Sequence, residues 1–100
     1  MPNLAAIHEA IAAALPDQEC LVFGPRRYRW ADVSDRTRRL AAVLAGAGLG
    51  CRRPRAGLAN HESGQDHVAL YLYNGNEYLE GMLGAMKARC APFNVNYRYV

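Results

Sequence analysis

The 100-residue chain is 51% hydrophobic, which indicates one small domain or part of a larger one and excludes an intrinsically disordered protein. Its net charge of +3 is mild, so charge alone is a weak indication of nucleic-acid binding. No apolar run approaches the ~20 residues that cross a bilayer. We find no secretion signal, and the three Cys residues form no recognisable disulfide framework, so we expect a cytoplasmic protein.

The first predicted element is a helix that ends at about Leu15. Asn3 is a suitable N-cap, because its side chain can accept a hydrogen bond from a free backbone N–H of the first turn. His8 and Glu9 lie off the apolar side of this helix, so we interpret His8 as a solvated residue without a catalytic role. We expect a stripe of large apolar residues to face the core: Leu4, Ile7, Ile11 and Leu15.

A β-hairpin is predicted next. Glu19 to Phe23 is a short strand candidate, Gly24-Pro25 is a turn, and Tyr28-Arg29-Trp30 returns to extended structure. We therefore expect two antiparallel strands.

A second helix is predicted from about Ala31 to Ala47. It has no hydroxyl residue at its start, so we expect the first turn to be weaker than usual or shifted by a residue or two. Its predicted inner face consists of Val33, Thr37, Leu40, Ala41 and Leu44.

The charged side of this helix pairs acidic residues with Arg four positions later, as Asp32 with Arg36 and Asp35 with Arg39. Each such pair contributes a few tenths of a kcal/mol. We therefore interpret Arg36, Arg38 and Arg39 as a solvated helix face rather than a nucleic-acid groove.

The glycines of the segment 46–50 follow the second helix. A phosphate-binding loop needs a strand before its glycines and a helix N-terminus after them, and this order is absent here. We interpret the segment as a helix C-terminus, where Gly supplies a left-handed conformation.

Residues 51–65 form the least regular region, and Asp66 follows at the mouth of the next strand. Cys51, His61 and His67 are residue types that bind metals, but their spacing matches no standard site and no fourth ligand is apparent. The simpler interpretation is an exposed basic loop. Its basic residues are Arg52, Arg53 and Arg55.

The last third of the chain predicts a βαβ unit. Val68 to Tyr73 is a strand candidate, Asn74 and Glu77 have the spacing of a capping box for the following helix, and Pro92 precedes a second strand at Phe93-Asn94-Val95. The strands should be parallel and the crossover right-handed. A hairpin turn at Asn74-Gly75 is rejected, because the residues after it keep helical periodicity.

Two features of this unit concern packing. Gly81 and Gly84 should let its helix approach a neighbour closely. The predicted apolar face of the helix consists of Tyr78, Leu79, Met82, Leu83 and Met86. We interpret four residues at the end of the last strand as structural anchors rather than ligand contacts: Asn94, Asn96, Tyr97 and Arg98.

The stretches 68–74, 86–89 and 91–98 resemble the N-terminal region of acyl-CoA synthetases, which belong to the adenylate-forming, AMP-binding ligases. The resemblance extends over nearly all of residues 1–100, is strongest over 66–99, and is closest to the fatty-acid-activating branch of actinobacterial type. It implies an α/β fold in which an N-terminal helix and hairpin precede a helix and the βαβ unit. The chain would then be an incomplete piece of the large N-terminal domain of these enzymes.

The resemblance also implies an activity for the complete enzyme. Such enzymes use ATP and Mg²⁺ to convert a fatty acid to an acyl-adenylate, and then transfer the acyl group to coenzyme A. The Thr/Ser/Gly-rich loop ending in Pro-Lys-Gly that grips the phosphates is absent from these residues, as are the ribose-binding residues and the catalytic Lys. We therefore assign no catalytic, cofactor-binding or metal residue, and we expect the 100 residues alone to be inactive and to bind no cofactor.

The expected partners follow from this interpretation. They are the remainder of the synthetase chain and, through the complete enzyme, a fatty acid; no nucleic acid and no transmembrane segment are expected. An isolated fragment would leave apolar sheet faces and a strand edge uncovered, so we expect it to self-associate.

Two other function classes remain open at this point. One is a free-standing binding or regulatory module that pairs with a synthetase lacking this region. The other is a basic nucleic-acid-binding domain that uses Arg52, Arg53 and Arg55 with the Tyr residues, which would show a steep salt dependence.

Overall fold

The computed structural model describes residues 3–51, 64–72 and 75–95. In chain order the elements are α1 (Leu4–Ala14), β1 (Glu19–Phe23), β2 (Arg26–Arg29), α2 (Trp30–Gly46), β3 (His67–Leu70), α3 (Asn76–Lys87) and β4 (Ala91–Asn94). β1 and β2 pair antiparallel. β3 and β4, which precede and follow α3 in the chain, pair with each other in parallel. The predicted order of helix, hairpin, helix and βαβ unit is confirmed. None of the helices in these ranges is long and apolar enough to cross a membrane.

The start of α1 is as predicted. Asn3 has extended backbone geometry, and its side-chain oxygen accepts a hydrogen bond of 2.8 Å from the backbone N–H of Ala6. One of the free donors of the first turn is thereby satisfied.

We expect Asn3→Ala to lower the free energy of unfolding by about 1 kcal/mol, because the Ala6 N–H loses its acceptor. Chemical denaturation followed by circular dichroism measures the difference. Asn3→Ser is the control, since a Ser hydroxyl can still accept this bond. Equal stability of the Ala and Ser variants would contradict the capping role.

The predicted core-facing stripe of α1 is wrong. Ala5, His8 and Ala12 are the buried residues of this helix, whereas Leu4 is 62% exposed and Ile7 is 46% exposed. At 3.6 residues per turn the buried side lies about a quarter turn from the predicted stripe. Two of its members are alanines, whose short side chains allow α1 to pack closely against α2 and α3.

The hairpin sets the position at which α2 begins. Trp30, predicted to be extended, is the first helical residue. In place of a hydroxyl cap, the Asp32 carboxylate accepts a 2.9 Å bond from the backbone N–H of Arg29. This bond, and the Arg29 side chain, lower the pKa of Asp32. The helix therefore starts one residue before the predicted Ala31, within the expected shift.

The end of α2 is a left-handed glycine turn, as predicted. Gly48 has φ +87°, its N–H donates to the Ala45 carbonyl at 3.0 Å, and the Leu49 N–H donates to the Leu44 carbonyl at 3.1 Å. This pair of bonds is the Schellman motif. The glycines therefore terminate a helix and do not form a phosphate loop.

The inner face of α2 is confirmed in its first half. Val33 and Thr37 are fully buried, and the Thr37 hydroxyl donates to the Val33 carbonyl at 2.7 Å. The remaining predicted members, Leu40, Ala41 and Leu44, are half-buried.

The βαβ unit is confirmed, with shifted boundaries. β3 begins at His67 and ends at Leu70, and its partners on β4 run from Ala91 to Asn94. Tyr73 and Asn74 lie outside the described residues. The predicted Asn74–Glu77 capping box is wrong, because Gly75 is the N-cap of α3 and the described residues provide no side-chain cap. Glu77 pairs instead with Arg26 at 3.2 Å.

Glycines determine how α3 packs. A Cβ on Gly84 would lie 2.6 Å from Leu40 Cδ2 on α2, and one on Gly81 would lie 3.0 Å from Leu70 Cδ2 on β3. The predicted close approach is therefore confirmed. The predicted apolar face is wrong in part: Leu83 is buried, but Leu79 is 37% exposed. The buried face of α3 consists of Asn76, Glu80, Gly81, Leu83, Gly84 and Ala85.

Candidate functional site: ion-pair clusters between the helices

Two of the three Arg residues of α2 bind carboxylates of other helices. Arg36 pairs with Glu80 of α3, and Arg38 pairs with Glu9 of α1. Asp35 and Arg39 form the predicted i, i+4 pair at 2.7 Å. The predicted Asp32–Arg36 pair is wrong, because Asp32 binds Arg29. The side chains of Arg36 and Arg38 are partly exposed, but they connect helices rather than forming only a solvated face.

Glu80 is the centre of the first cluster. It is 6% exposed and accepts hydrogen bonds from the Arg36 guanidinium and, at 2.7 Å, from Asn76 Nδ2. The Arg36 guanidinium also lies over the Tyr28 ring, 5.2 Å from its centroid. The hydrogen bond between the Arg36 guanidinium and the Glu80 carboxylate raises the pKa of Arg36. This cluster joins α2, α3 and the hairpin.

Glu9 is the centre of the second cluster. It accepts hydrogen bonds from Arg38 Nε at 3.1 Å and forms an ion pair with Lys87 Nζ at 2.6 Å. Lys87 also donates to Thr37 Oγ1 at 2.6 Å, and its side chain is only 5% exposed. The Arg38 hydrogen bond, supported by Lys87, lowers the pKa of Glu9 to about 2. Residues of all three helices meet at this carboxylate.

His8 lies beside the second cluster and is not solvated, so the sequence interpretation of this residue is wrong. It is 6% exposed, and its ring centroid lies 5.3 Å from that of Trp30. Neither ring nitrogen has a hydrogen-bond partner among the described residues. Burial, reinforced by the positive charge of Lys87, lowers the pKa of His8, so the folded protein holds this ring neutral.

We expect the free energy of unfolding to decrease as the pH is lowered through 6.5, the usual pKa of His. The pKa is lower in the folded state, so the unfolded chain binds more protons below pH 6.5 and acid favours unfolding. His8→Phe should reduce this pH dependence between about pH 7.5 and 5.5. Urea unfolding at several pH values measures it. An equal slope in the wild type and in His8→Phe would contradict the buried, neutral ring.

Two of the three residues considered as metal ligands, Cys51 and His67, lie within the described residues. His67 is exposed and contacts the Phe93 ring at a centroid distance of 6.2 Å, while Cys51 pairs with Gln65 in an isolated bridge. His61 lies outside the described residues, as do Arg52, Arg53, Arg55 and the segment 96–98. Within the described ranges, no group of three or more His, Cys, Asp or Glu residues could hold a metal ion.

The two ion-pair clusters stabilise the packing of the helices. Each carboxylate at their centres accepts hydrogen bonds from cations or amides, so its oxygen atoms are engaged in holding the helices together. The pairs with Glu80 and Glu9 agree with the prediction that Arg36 and Arg38 do not form a nucleic-acid groove, whereas the Arg residues of the nucleic-acid alternative, at positions 52, 53 and 55, lie outside the described residues. The sequence analysis missed these clusters because their members are far apart in the chain. The one available signal was that Ala5, His8 and Ala12 recur at helical spacing in α1, which gives this helix a second side that can pack closely.

A cleft of about 610 Å³ runs beside β3. Its walls come from α2, from residues 68–72 and from the first half of α3. Leu40 and Leu44 provide apolar surface on the α2 side, and Glu77 and Glu80 line the α3 side.

Comparison with known proteins places this architecture in context. The chain is 56% identical over 95 residues to the medium-chain acyl-CoA ligase Mig of Mycobacterium avium, covering 95% of this chain and 17% of that protein. It is 33% identical over 98 residues to a medium/long-chain-fatty-acid–CoA/3-oxocholest-4-en-26-oate–CoA ligase of Mycobacterium marinum, covering 98% of this chain and 16% of the relative. The chain thus spans about one sixth of the length of these relatives.

Solved structures show the same fold. The N-terminal subdomain of Klebsiella oxytoca NpsA superposes with a TM-score of 0.78 at 24% identity, covering 97% of this chain and 22% of the subdomain. NpsA in complex with 3-hydroxyanthranilyl-AMSN superposes with a TM-score of 0.80 at 24% identity, covering all of this chain and 19% of that one. The sequence also matches the AMP-binding enzyme family over residues 8–100. The chain therefore belongs to the AMP-binding enzyme family and has the fold of part of its N-terminal subdomain.

Proposed function

We propose that these residues are the N-terminal part of an ATP-dependent fatty acid–CoA ligase that acts on medium-chain acids. The observation that carries this proposal is the 56% identity to the Mycobacterium avium medium-chain ligase over nearly the whole chain. The stretches 68–74, 86–89 and 91–98, which resemble the N-terminal region of acyl-CoA synthetases, are consistent with this proposal.

The proposed reaction has two steps. The fatty-acid carboxylate attacks the α-phosphorus of ATP, which forms an acyl-adenylate and releases pyrophosphate. The coenzyme A thiolate then attacks the acyl carbon and releases AMP, and the thiol proton passes to solvent. Mg²⁺ would neutralise phosphate charge in the first step.

The described residues would support this chemistry without performing it. The Arg residues of the hairpin and of α2 pair with carboxylates, and Lys87 is buried against Glu9. These contacts fix the three helices and the βαβ unit relative to one another. We infer that the 100 residues act as a scaffold and have no ligase activity alone, with the remainder of the ligase chain as their partner.

The test is acyl-CoA formation by the native gene product with ATP, Mg²⁺, coenzyme A and fatty acids of increasing length. We expect thioester formation with medium-chain acids by the native product, and none by the 100 residues produced separately. Absence of both thioester and acyl-adenylate with every acid would contradict the proposed activity. Turnover by the 100 residues alone would contradict the scaffold role.

A further inference from the structure

The interface that holds α1 contains little apolar surface. Among the described elements, α1 lies against α2 and α3 only, and its buried residues are Ala5, His8 and Ala12. Because hydrophobic stabilisation is proportional to the buried apolar area, two alanines contribute far less than a pair of buried Leu or Ile residues would. The helix is therefore held mainly by the polar contacts of Glu9 and by the packing of the His8 ring.

The His8 ring is an unfavourable occupant of this interface at neutral pH. Neither of its nitrogens has a hydrogen-bond partner among the described residues, although the residue is only 6% exposed. A buried polar group without a partner destabilises a fold, and a Phe ring of similar size could pack against Trp30 without this cost. The property that His has and Phe lacks is a charge that changes near neutral pH.

The charged groups that act on His8 do not provide it with a free counter-ion. On α3, the buried Lys87 ammonium places a second positive charge beside the ring. On α1, the Glu9 carboxylate favours the protonated ring, but it is already bound to Lys87 and to Arg38 of α2. α2 presents the Trp30 ring to His8. Protonation would therefore place an additional cation in a buried site whose one carboxylate is already shared by two others.

The segment after α1 can act as a hinge. Residues 15–18 join α1 to β1, and the carbonyls of Pro16 and Gln18 accept hydrogen bonds from the backbone N–H groups of Ala31 and Trp30 at 3.0 and 2.9 Å, respectively. These two donors belong to the first turn of α2, where a helix provides no backbone acceptor of its own. The hinge therefore stays attached to α2 when α1 moves.

We propose that His8 is a pH-dependent switch: the neutral ring lets α1 pack on α2 and α3, and protonation of the ring detaches α1 about residues 15–18 while the rest of the fold persists. The rest persists because the Glu80 cluster and the β3–β4 pair contain no residue of α1. Glu9 does not titrate in the same range, since the hydrogen bond from Arg38 lowers its pKa to about 2. The switch is a property of this interface and does not depend on the proposed ligase activity.

The test is hydrogen exchange followed by mass spectrometry on the native gene product, at about pH 7.5 and about pH 5.5, with rates corrected for the pH dependence of intrinsic exchange. A detached state in which His8 has its usual pKa of 6.5 gains population by ~10-fold between these conditions. We expect the protection factors of the α1 amides to fall by ~10-fold and those of α2 and α3 to change by less than ~2-fold. Unchanged protection of α1, or an equal loss in all three helices, would overturn the proposal.

Two variants identify the titrating group. His8→Phe should leave α1 equally protected at both pH values, because the ring no longer acquires a charge. His67→Gln is the matched control, since it removes an exposed His outside α1, and the ~10-fold fall should persist in this variant. A fall that survives His8→Phe, or one that is lost in His67→Gln, would show that another group drives the opening and would overturn the proposal. The comparison of α1 with α2 and α3 in the wild type stands without either variant.

Discussion

Gly84→Ala is expected to lower the free energy of unfolding by about 1–3 kcal/mol. The added Cβ would lie 2.6 Å from Leu40 Cδ2, 2.9 Å from its Cγ and 3.0 Å from its Cβ. Because the contacts extend to Leu40 Cβ, a rotation of the terminal methyl groups cannot relieve them, and α2 and α3 must move apart. The better helix propensity of Ala, about 1 kcal/mol, offsets only part of this cost.

The matched control for this prediction is Gly46→Ala in the last position of α2. Apart from the adjacent residues and the backbone of α2 itself, no atom of the described residues lies within 4 Å of a Cβ placed there, so only the gain in helix propensity, up to about 1 kcal/mol, should remain. Urea unfolding of both variants gives the two values. If Gly84→Ala stabilises the protein as Gly46→Ala does, the close packing of α2 on α3 is incorrect.

The second large effect is expected for Glu80→Ala, at about 2–4 kcal/mol of lost stability. Removing one partner of a buried ion pair costs about 3–5 kcal/mol, and we lower this value because the Arg36 side chain is 42% exposed and can be rehydrated. Asn76 Nδ2 also loses its 2.7 Å acceptor. Glu80→Gln should cost less, because an amide oxygen can still accept this bond.

The control for the charge effect is Asp35→Ala. Asp35 and Arg39 form an exposed pair, with side chains 64% and 71% exposed, so its loss should cost less than about 0.5 kcal/mol. Denaturant titration of the three variants ranks them. A loss for Glu80→Ala no larger than that for Asp35→Ala would show that the Glu80 cluster does not hold the helices together.

Local features of this fold could be predicted from the sequence. The Asn3 cap, the hairpin, the Gly48 turn and the parallel pairing across α3 all depend on residues close in the chain or on general rules of connection. The element order was correct for this reason. The errors at the helix starts were one or two residues, at positions where an unforeseen acceptor or a glycine replaced the expected cap.

The packing faces and the ion-pair clusters could not be predicted in the same way. Apolar periodicity favoured Leu4 and Ile7 as core residues, but the packed side of α1 carries alanines and His8. Arg36 had a local candidate partner in Asp32 and bound Glu80 instead, 44 positions away. Choosing between such partners requires the tertiary structure.

The exposed apolar side of α1 has a physical explanation within the proposed function. Leu4 and Ile7 are exposed in a chain that spans 17% of the Mycobacterium avium ligase. Surfaces that are buried in a larger domain remain apolar in any part of it taken alone. We therefore expect the isolated 100 residues to self-associate, which sedimentation at several concentrations would detect.

The central claim is that these residues form the N-terminal part of a larger ligase, and the intact mass of the native gene product tests it most directly. We predict a mass several times 11.0 kDa, with a Thr/Ser/Gly-rich loop ending in Pro-Lys-Gly in the sequence after Val100. A native product of 11.0 kDa would contradict the claim and favour a free-standing module with the fold of this family.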